Sequence, residues 1–278
     1  MKFTKMQGIG NDYIYINCFE EQVADPGALS VRLSDRHFGI GGDGIILIKP
    51  SRKADCEMDI YNADGSRGMM CGNGIRCVGK YVYDRGLCRK NPLHVDTQSG
   101  IKTLWLDVQN GAVQTVRVDM GAPVLKPSDI PTTLPGERAV DVPYTIDGRE
   151  YRITCVSMGN PHCVVFVDDV EKLDLEKIGP QFEHAPIFPE RVNTEFIQVL
   201  GPQEARMRVW ERGSGETWAC GTGACASTVA GALNGKTACD VLMHLRGGDL
   251  HVTWDKDANT IFLEGPAAFV FDGTVDVQ

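Results

Sequence analysis

Basic residues are short in this sequence, 28 Lys and Arg against 37 Asp and Glu, and no run of them reaches three. At a net charge of −9 the chain lacks the positive surface that a nucleic acid or an anionic membrane would require, so neither partner is expected. No stretch approaches the roughly 20 apolar residues of a membrane span. No apolar segment follows Met1–Met6, so a signal peptide is not expected and the protein reads as cytoplasmic. Cys-x-x-Cys pairs are missing as well. The spacings Cys71-x5-Cys77 and Cys220-x4-Cys225, with His162-Cys163 nearby, suit structural zinc poorly, and no metal is expected.

Cysteine itself is plentiful, with ten in 278 residues. A disulfide framework belongs to short secreted domains, and this chain is long. Cys18, Cys56, Cys88, Cys155, Cys163 and Cys239 read as small buried hydrophobes. Two others lie in a repeat. Cys71-Gly72-Asn73-Gly74 recurs as Cys220-Gly221-Thr222-Gly223, a shift of 220 − 71 = 149. Gly10-Asn11 recurs as Gly159-Asn160 at the same shift, and Met58–Asn62 falls on Met207–Glu211. The apolar run Ile45 to Ile48 is set against Phe196 to Val199.

A duplication follows from one offset held this long. It predicts a mixed α/β fold of two pseudo-symmetric domains, 1–119 with a returning strand in 264–278, and 120–263. The length, near the limit for one core, agrees. Between the copies, Gly121 to Arg149 holds five of the 14 prolines and reads as a crossing with an edge element. Strands are expected at Tyr13–Phe19, Ile45–Ile48, Lys102–Val108, Val113–Met120, Cys163–Val167, Ala205–Trp210 and His251–Trp254, with one more at Gly265–Asp272. Helices are expected at Ala28–His37, after Cys71 until Gly86, and at Ala224–Leu233. Small side chains on the last suit a helix enclosed by other backbone, so each half reads as a curved mixed sheet around a central helix. Gly39-Ile40-Gly41-Gly42-Asp43-Gly44 matches GxGxxG, but a strand follows it instead of preceding it, so it reads as a loop.

Both Cys-Gly-x-Gly segments open a helix. A helix N-terminus favours an anion, which lowers a cysteine pKa from about 8.5 toward 3.5–7.5. Its free N–H groups, uncrowded beside glycine, can also hold a carboxylate. Two such segments facing each other across a pseudo-twofold cleft would place one sulfur on each side of a Cα. One thiolate would take the α-proton and the opposite thiol would return another, inverting the centre.

The sequence resembles the diaminopimelate epimerase family from end to end. The resemblance is carried by Phe3-x-Lys5-Met6-x-Gly8-x-Gly10-Asn11-Asp12, Tyr61–Ser66, Met70–Gly74, Met158–His162, Asn193-Thr194-Glu195, Trp210–Gly213 and Ala219–Gly223. It implies interconversion of LL- and meso-2,6-diaminopimelate, a small-molecule substrate, by a homodimer without pyridoxal phosphate or any other cofactor. It implies Cys71 and Cys220 as the acid/base pair, with Cys220 accepting and Cys71 donating from LL to meso, assisted by His162 and Glu211. Gly72, Asn73, Gly221 and Thr222 would bind the reacting carboxylate and Asn11 the reacting end. Asn62, Asn160, Asn193, Glu211 and Arg212 would hold the distal amino acid. A planar guanidinium suits a distal carboxylate on its own chemistry. Many members carry Gln where this chain has Gly44. The related proline and 4-hydroxyproline epimerases are the alternative, disfavoured because their substrate has no distal charges for Glu211 and Arg212.

Overall fold

The computed structural model of the chain describes residues 1–276. It divides into two compact units, one formed by Met1–Asp119 and the chain from Glu264 onward, the other by Met120–Leu263.

The first unit starts as a hairpin of β1 (Lys2–Gly8) and β2 (Asn11–Asn17). Ile9 and Gly10 form its two-residue turn with φ of 50° and 86°, the positive values such a turn requires. Helix α1 (Pro26–Ser34) begins two residues before its expected start, because the Asp25 carboxylate accepts from the Ala28 N–H and Pro26 suits the first turn. It also stops three residues short of His37. Asp35 accepts from the backbone N–H groups of His37 and Phe38, which turns the chain away. Then come β3 (Gly44–Lys49), β4 (Cys56–Asn62), β5 (Arg67–Gly68), α2 (Gly72–Asp84), β6 (Leu93–Thr97), β7 (Gly100–Gln109) and β8 (Ala112–Gly121). Helix α2 ends before Gly86, at φ 75°, and packs on β1, β2 and β7.

The second unit holds β9 (Val142–Ile146), β10 (Arg149–Ser157), β11 (Pro161–Phe166), α3 (Leu175–Glu183), β12 (Asn193–Gly201), β13 (Glu204–Glu211), β14 (Gly215–Thr217), α4 (Gly221–Leu233), β15 (Asp240–Leu245), β16 (Gly248–Asp255) and the first part of β17 (Thr260–Pro266), whose last residues return to the first unit. Helix α4 packs on β10, β11, β12, β15 and β16, which is why it is built from Ala, Gly, Ser and Thr. The proline-rich 121–149 segment does more than cross: Ile130, Ala139 and Ile146 are buried in this unit's core beside Phe182 and Phe196. The tail also holds two strands where one was expected. Pro266, with no N–H to give, ends β17, and β18 (Ala268–Thr274) pairs antiparallel with β1.

Both units run the same pairing sequence. β2 and β3 are parallel, as are β11 and β12; β3 with β4 and β12 with β13 are antiparallel; β4 with β6 and β13 with β15 are parallel. Ile14 pairs Ile45 and Cys163 pairs Thr194, each shifted by 149 (163 − 14, 194 − 45). Ile45–Ile48 therefore corresponds to Thr194–Ile197, not to Phe196–Val199, and the partner of Ile46 is Glu195. After the helices the offset drops by one, since Val95 pairs Cys56 where Met243 pairs Ala205 (243 − 95 = 148). An ion pair is inverted between the copies. Asp59 with Arg67, at 2.6 Å, becomes Arg208 with Glu216, at 2.8 Å (208 − 59 = 216 − 67 = 149).

Candidate active site

Each cysteine of the repeat is the N-cap of its unit's enclosed helix. Cys71 is extended (φ −130°, ψ 119°) and its sulfur accepts from the Gly74 N–H at 3.3 Å. Cys220 has nearly the same backbone (φ −126°, ψ 103°) and is buried. The third residue of each helix must be glycine for reasons of space. A Cβ on Gly74 would lie 2.7 Å from Ile46 Cδ1, and one on Gly223 would lie 2.6 Å from Glu195 Oε1 and 3.2 Å from Cys220 Sγ. Cys56, Cys77, Cys155, Cys163 and Cys225 are buried, and all ten cysteines are free thiols.

The Cys220 surroundings are ionisable. His162 is fully buried, with Nδ1 2.7 Å from Glu195 Oε1 and Nε2 3.1 Å from Asn160 Oδ1. Asn160 Nδ2 donates to Thr222 Oγ1 at 3.3 Å, and that hydroxyl lies 3.6 Å from Cys220 Sγ. A continuous line of polar contacts thus runs from Glu195 to the sulfur. Glu195 Oε2 is buried without a hydrogen-bond partner among the described residues. Glu211, whose own acidity burial weakens, accepts from Thr217 Oγ1 at 2.5 Å.

These neighbours overturn one expectation. The helix N-terminus was expected to lower the thiol pKa, yet Cys220 is pushed well above its ordinary value. Burial is the main cause, and the Glu211 and Glu195 carboxylates add to it, against weaker help from Thr222 and the Gly223 N–H. The dipole acts within one turn of half a charge, whereas two carboxylates and desolvation act together.

Cys71 has a different set of partners. Its sulfur donates to Asn11 Oδ1 at 3.3 Å, and Asn11 Nδ2 donates to Asp43 Oδ2 at 2.6 Å. Tyr13, the counterpart of His162, is buried beside the thiol and its phenol is pushed up by that burial. Asp43 sits in the Gly39–Gly44 loop, which Lys5 ties down by donating to the Gly41 carbonyl and pairing with Asp12 at 2.6 Å. Gly44 has no room for a side chain, since a Cβ would lie 2.1 Å from the Tyr61 carbonyl.

Of the remaining expected residues, Asn62 Nδ2 donates to Ser66 Oγ at 3.0 Å, and Asn73 turns its side chain into the interior. Asn193 is committed to the protein: Nδ2 donates to the Pro161 carbonyl at 3.2 Å and Oδ1 accepts from the Arg212 N–H at 2.8 Å. Arg212 donates to the Glu190 carbonyl at 2.9 Å. Its turn is held by the buried Glu183, which accepts from Trp210 Nε1 at 2.7 Å and from the Gly213 N–H at 2.9 Å. Sequence reasoning gave no role to Glu195, though it lies in the Asn193-Thr194-Glu195 motif, nor to Asp43, Tyr13 or Glu183. The shift of 149 applied to the β3 run would have shown Glu195 in an apolar strand.

The fold is shared with a hydroxyproline epimerase from Agrobacterium vitis (TM-score 0.72, 13% identity, 99% of this chain and 90% of that one). It is also shared with a PhzF-family phenazine biosynthesis protein from Bacillus anthracis (TM-score 0.72, 16% identity, 100% and 99%). These likenesses show a shared mixed α/β fold. Sequence goes further. The profile of the diaminopimelate epimerase family matches residues 3–126 and 154–270. Diaminopimelate epimerases of Agathobacter rectalis (56% identity, all of both chains) and Acetivibrio thermocellus (54%, 100% of this chain and 99% of the relative) are similar throughout. The chain belongs to the diaminopimelate epimerase family and is an amino-acid epimerase, an isomerase.

Proposed function

We propose that this protein interconverts LL- and meso-2,6-diaminopimelate, supplying lysine and peptidoglycan precursors, with Cys71 and Cys220 as its proton-transfer pair. The observation that carries this reading is the placement of one cysteine at the N-cap of the enclosed helix in each copy, at a constant offset. From LL to meso, the Cys220 thiolate takes the α-proton and the Cys71 thiol gives its own to the opposite face. The first sulfur ends as thiol and the second as thiolate, so charge and protons balance. The backbone N–H groups of Gly72, Asn73, Gly221 and Thr222 stabilise the carboxylate as negative charge spreads into it. Burial and the two carboxylates raise the Cys220 pKa, so this thiol must pass its proton to a neighbouring base before it can act, and the line of contacts through Thr222 and Asn160 leads to His162.

His162, Asn160 and Glu211 tune Cys220, and Asn11 meets the reacting end. Asn62 and Arg212 bind the distal amino acid, with Asn193 holding the Arg212 turn. The reaction uses no cofactor or metal, and the enzyme acts as a cytoplasmic homodimer without nucleic acid or membrane. Among the described residues no helix is long and apolar enough to cross a membrane. Metal-free protein incubated with LL-diaminopimelate should form the meso isomer, while trans-4-hydroxy-L-proline and lysine should stay unchanged. Turnover of hydroxyproline with none of diaminopimelate would overturn the assignment.

A further inference from the structure

The hydrogen bond made by Cys71 is set by a residue that does not donate to it or accept from it. Asn11 has two groups to offer the sulfur, and they act in opposite senses. An amide oxygen accepts the thiol proton and favours the neutral form, whereas an NH2 group donates to sulfur and favours the thiolate. Asp43 makes the choice. Its Oδ2 accepts from Asn11 Nδ2 at 2.6 Å and from the Asp12 N–H at 3.1 Å, and an ionised carboxylate has no proton for an amide oxygen. Asn11 Oδ1 is thereby turned to Cys71 Sγ, which donates to it at 3.3 Å.

Asp43 is itself immobilised. Its N–H donates to the Asp12 carbonyl at 2.7 Å, its carbonyl accepts from the Ala63 N–H at 3.0 Å, and Arg36 binds its Oδ1 at 2.9 Å. The second copy has no such device: the counterpart of Asp43 is Val192 (43 + 149), and Asn160 Oδ1 faces His162.

We infer that Asp43 is a positioning residue that keeps Cys71 protonated at rest by locking the Asn11 amide with its oxygen toward the sulfur. This deepens, and rests on, the reading of Cys71 as the proton donor from LL to meso. Of the other titratable groups near the sulfur, Tyr13 on β2 is buried and protonated and hydrogen-bonds to both Asn11 and Cys71, Tyr15 on β2 and Cys77 on α2 are buried and neutral, Lys5 is paired with Asp12, and Arg36 with Asp12 and Asp43.

Two variants separate positioning from charge. Asp43→Ala and Asp43→Asn both remove the carboxylate charge, but only asparagine keeps an acceptor for Asn11 Nδ2 and the Asp12 N–H. Alkylation of Cys71 by iodoacetamide, followed across pH by mass spectrometry of its peptide, reads the thiolate fraction. Asp43→Ala should titrate about one unit below Asp43→Asn, giving about tenfold faster alkylation below the midpoint. Because donation needs the thiol, the alkaline limb of kcat/KM should move to lower pH in Asp43→Ala and largely return in Asp43→Asn. Equal midpoints in the two variants, or no shift in Asp43→Ala, would overturn the proposal. If Asp43→Ala does not fold, Asn11→Ala removes the same acceptor and must lower the Cys71 midpoint. A Cys71→Ala enzyme that still turns over would instead remove Cys71 from the reaction, whatever the alkylation result.

Discussion

The two copies hold their cysteines in nearly the same backbone frame and surround them with opposite chemistry. The offset sets Asn11, Tyr13, Ile46 and Asn62 of the first copy against Asn160, His162, Glu195 and Glu211 of the second. One sulfur has an amide oxygen to receive its proton, and the other has a buried histidine and two carboxyls. Duplication preserved what the helix N-cap geometry needs, namely the cysteine and the close-packed glycine. The flanking residues diverged. An inversion needs one sulfur charged while the other is neutral, and identical surroundings would leave that state undetermined. The difference between the copies makes the two sulfurs inequivalent.

The comparison breaks most sharply at the sulfurs themselves. Cys71→Ala and Cys220→Ala should each lower kcat/KM by about 10²–10⁴-fold, the range for loss of a positioned acid or base. Optical measurement of LL-to-meso conversion checks this, and a variant within tenfold of wild type would leave its copy without a catalytic role. Next comes Arg212→Lys, which swaps a planar fork for a point charge. It should reduce kcat/KM for diaminopimelate by about 10²-fold, or roughly 2.7 kcal/mol.

The inverted ion pairs give a smaller contrast, in stability. Arg208 is largely buried, and besides Glu216 it serves the Val170 and Leu173 carbonyls at 2.8 and 2.9 Å. Arg67 is half exposed, and Asp59 keeps Lys49 when Arg67 is lost. Urea unfolding should therefore show Arg208→Ala destabilised by about 2–4 kcal/mol and Arg67→Ala by about 1 kcal/mol. In both pairs the cation holds the carboxyl below its usual range against the opposing effect of burial. A depressed folded pKa adds stability above the unfolded carboxylate value of about 4, and loses it as pH falls through the folded value. Acid titration of Asp59→Asn should accordingly show a shallower loss of stability below about pH 4 than the wild type. The mildest effect is Glu195→Gln. It removes one of the two carboxylates that raise Cys220 and should speed Cys220 alkylation by up to about tenfold below its midpoint.

Much of the frame was legible because it rests on local rules. The helices after Cys71 and Cys220 follow from glycine, small residues and, for the first, the terminal Gly86, and eight of the 18 strands of the described residues from β-branched or aromatic runs; the other ten and helix α3 fall outside those expectations. β1 escaped notice because Lys5 interrupts its apolar run, and only the ion pair with Asp12 shows that this lysine is buried. Helix α1 was displaced at both ends by side-chain caps, from Asp25 and Asp35, whose effect depends on which N–H each carboxylate reaches. At the candidate site the cysteines were readable from the repeat. The raised Cys220 pKa was not, since burial and the approach of Glu195 are tertiary facts. Glu195 was hidden further by a two-residue misregister of its strand. Asp43 was hidden in a loop where glycines drew the attention.

The most direct test of the two-sulfur account is an early-time isotope experiment in D2O. Metal-free enzyme is given protiated LL-diaminopimelate, and both isomers are examined by mass spectrometry after a few percent conversion. Separate sulfurs on opposite faces predict meso product carrying solvent deuterium at the inverted carbon, while unreacted LL substrate remains protiated. Meso product that largely retains the original protium would mean that one group carries the same proton across, and would contradict the account.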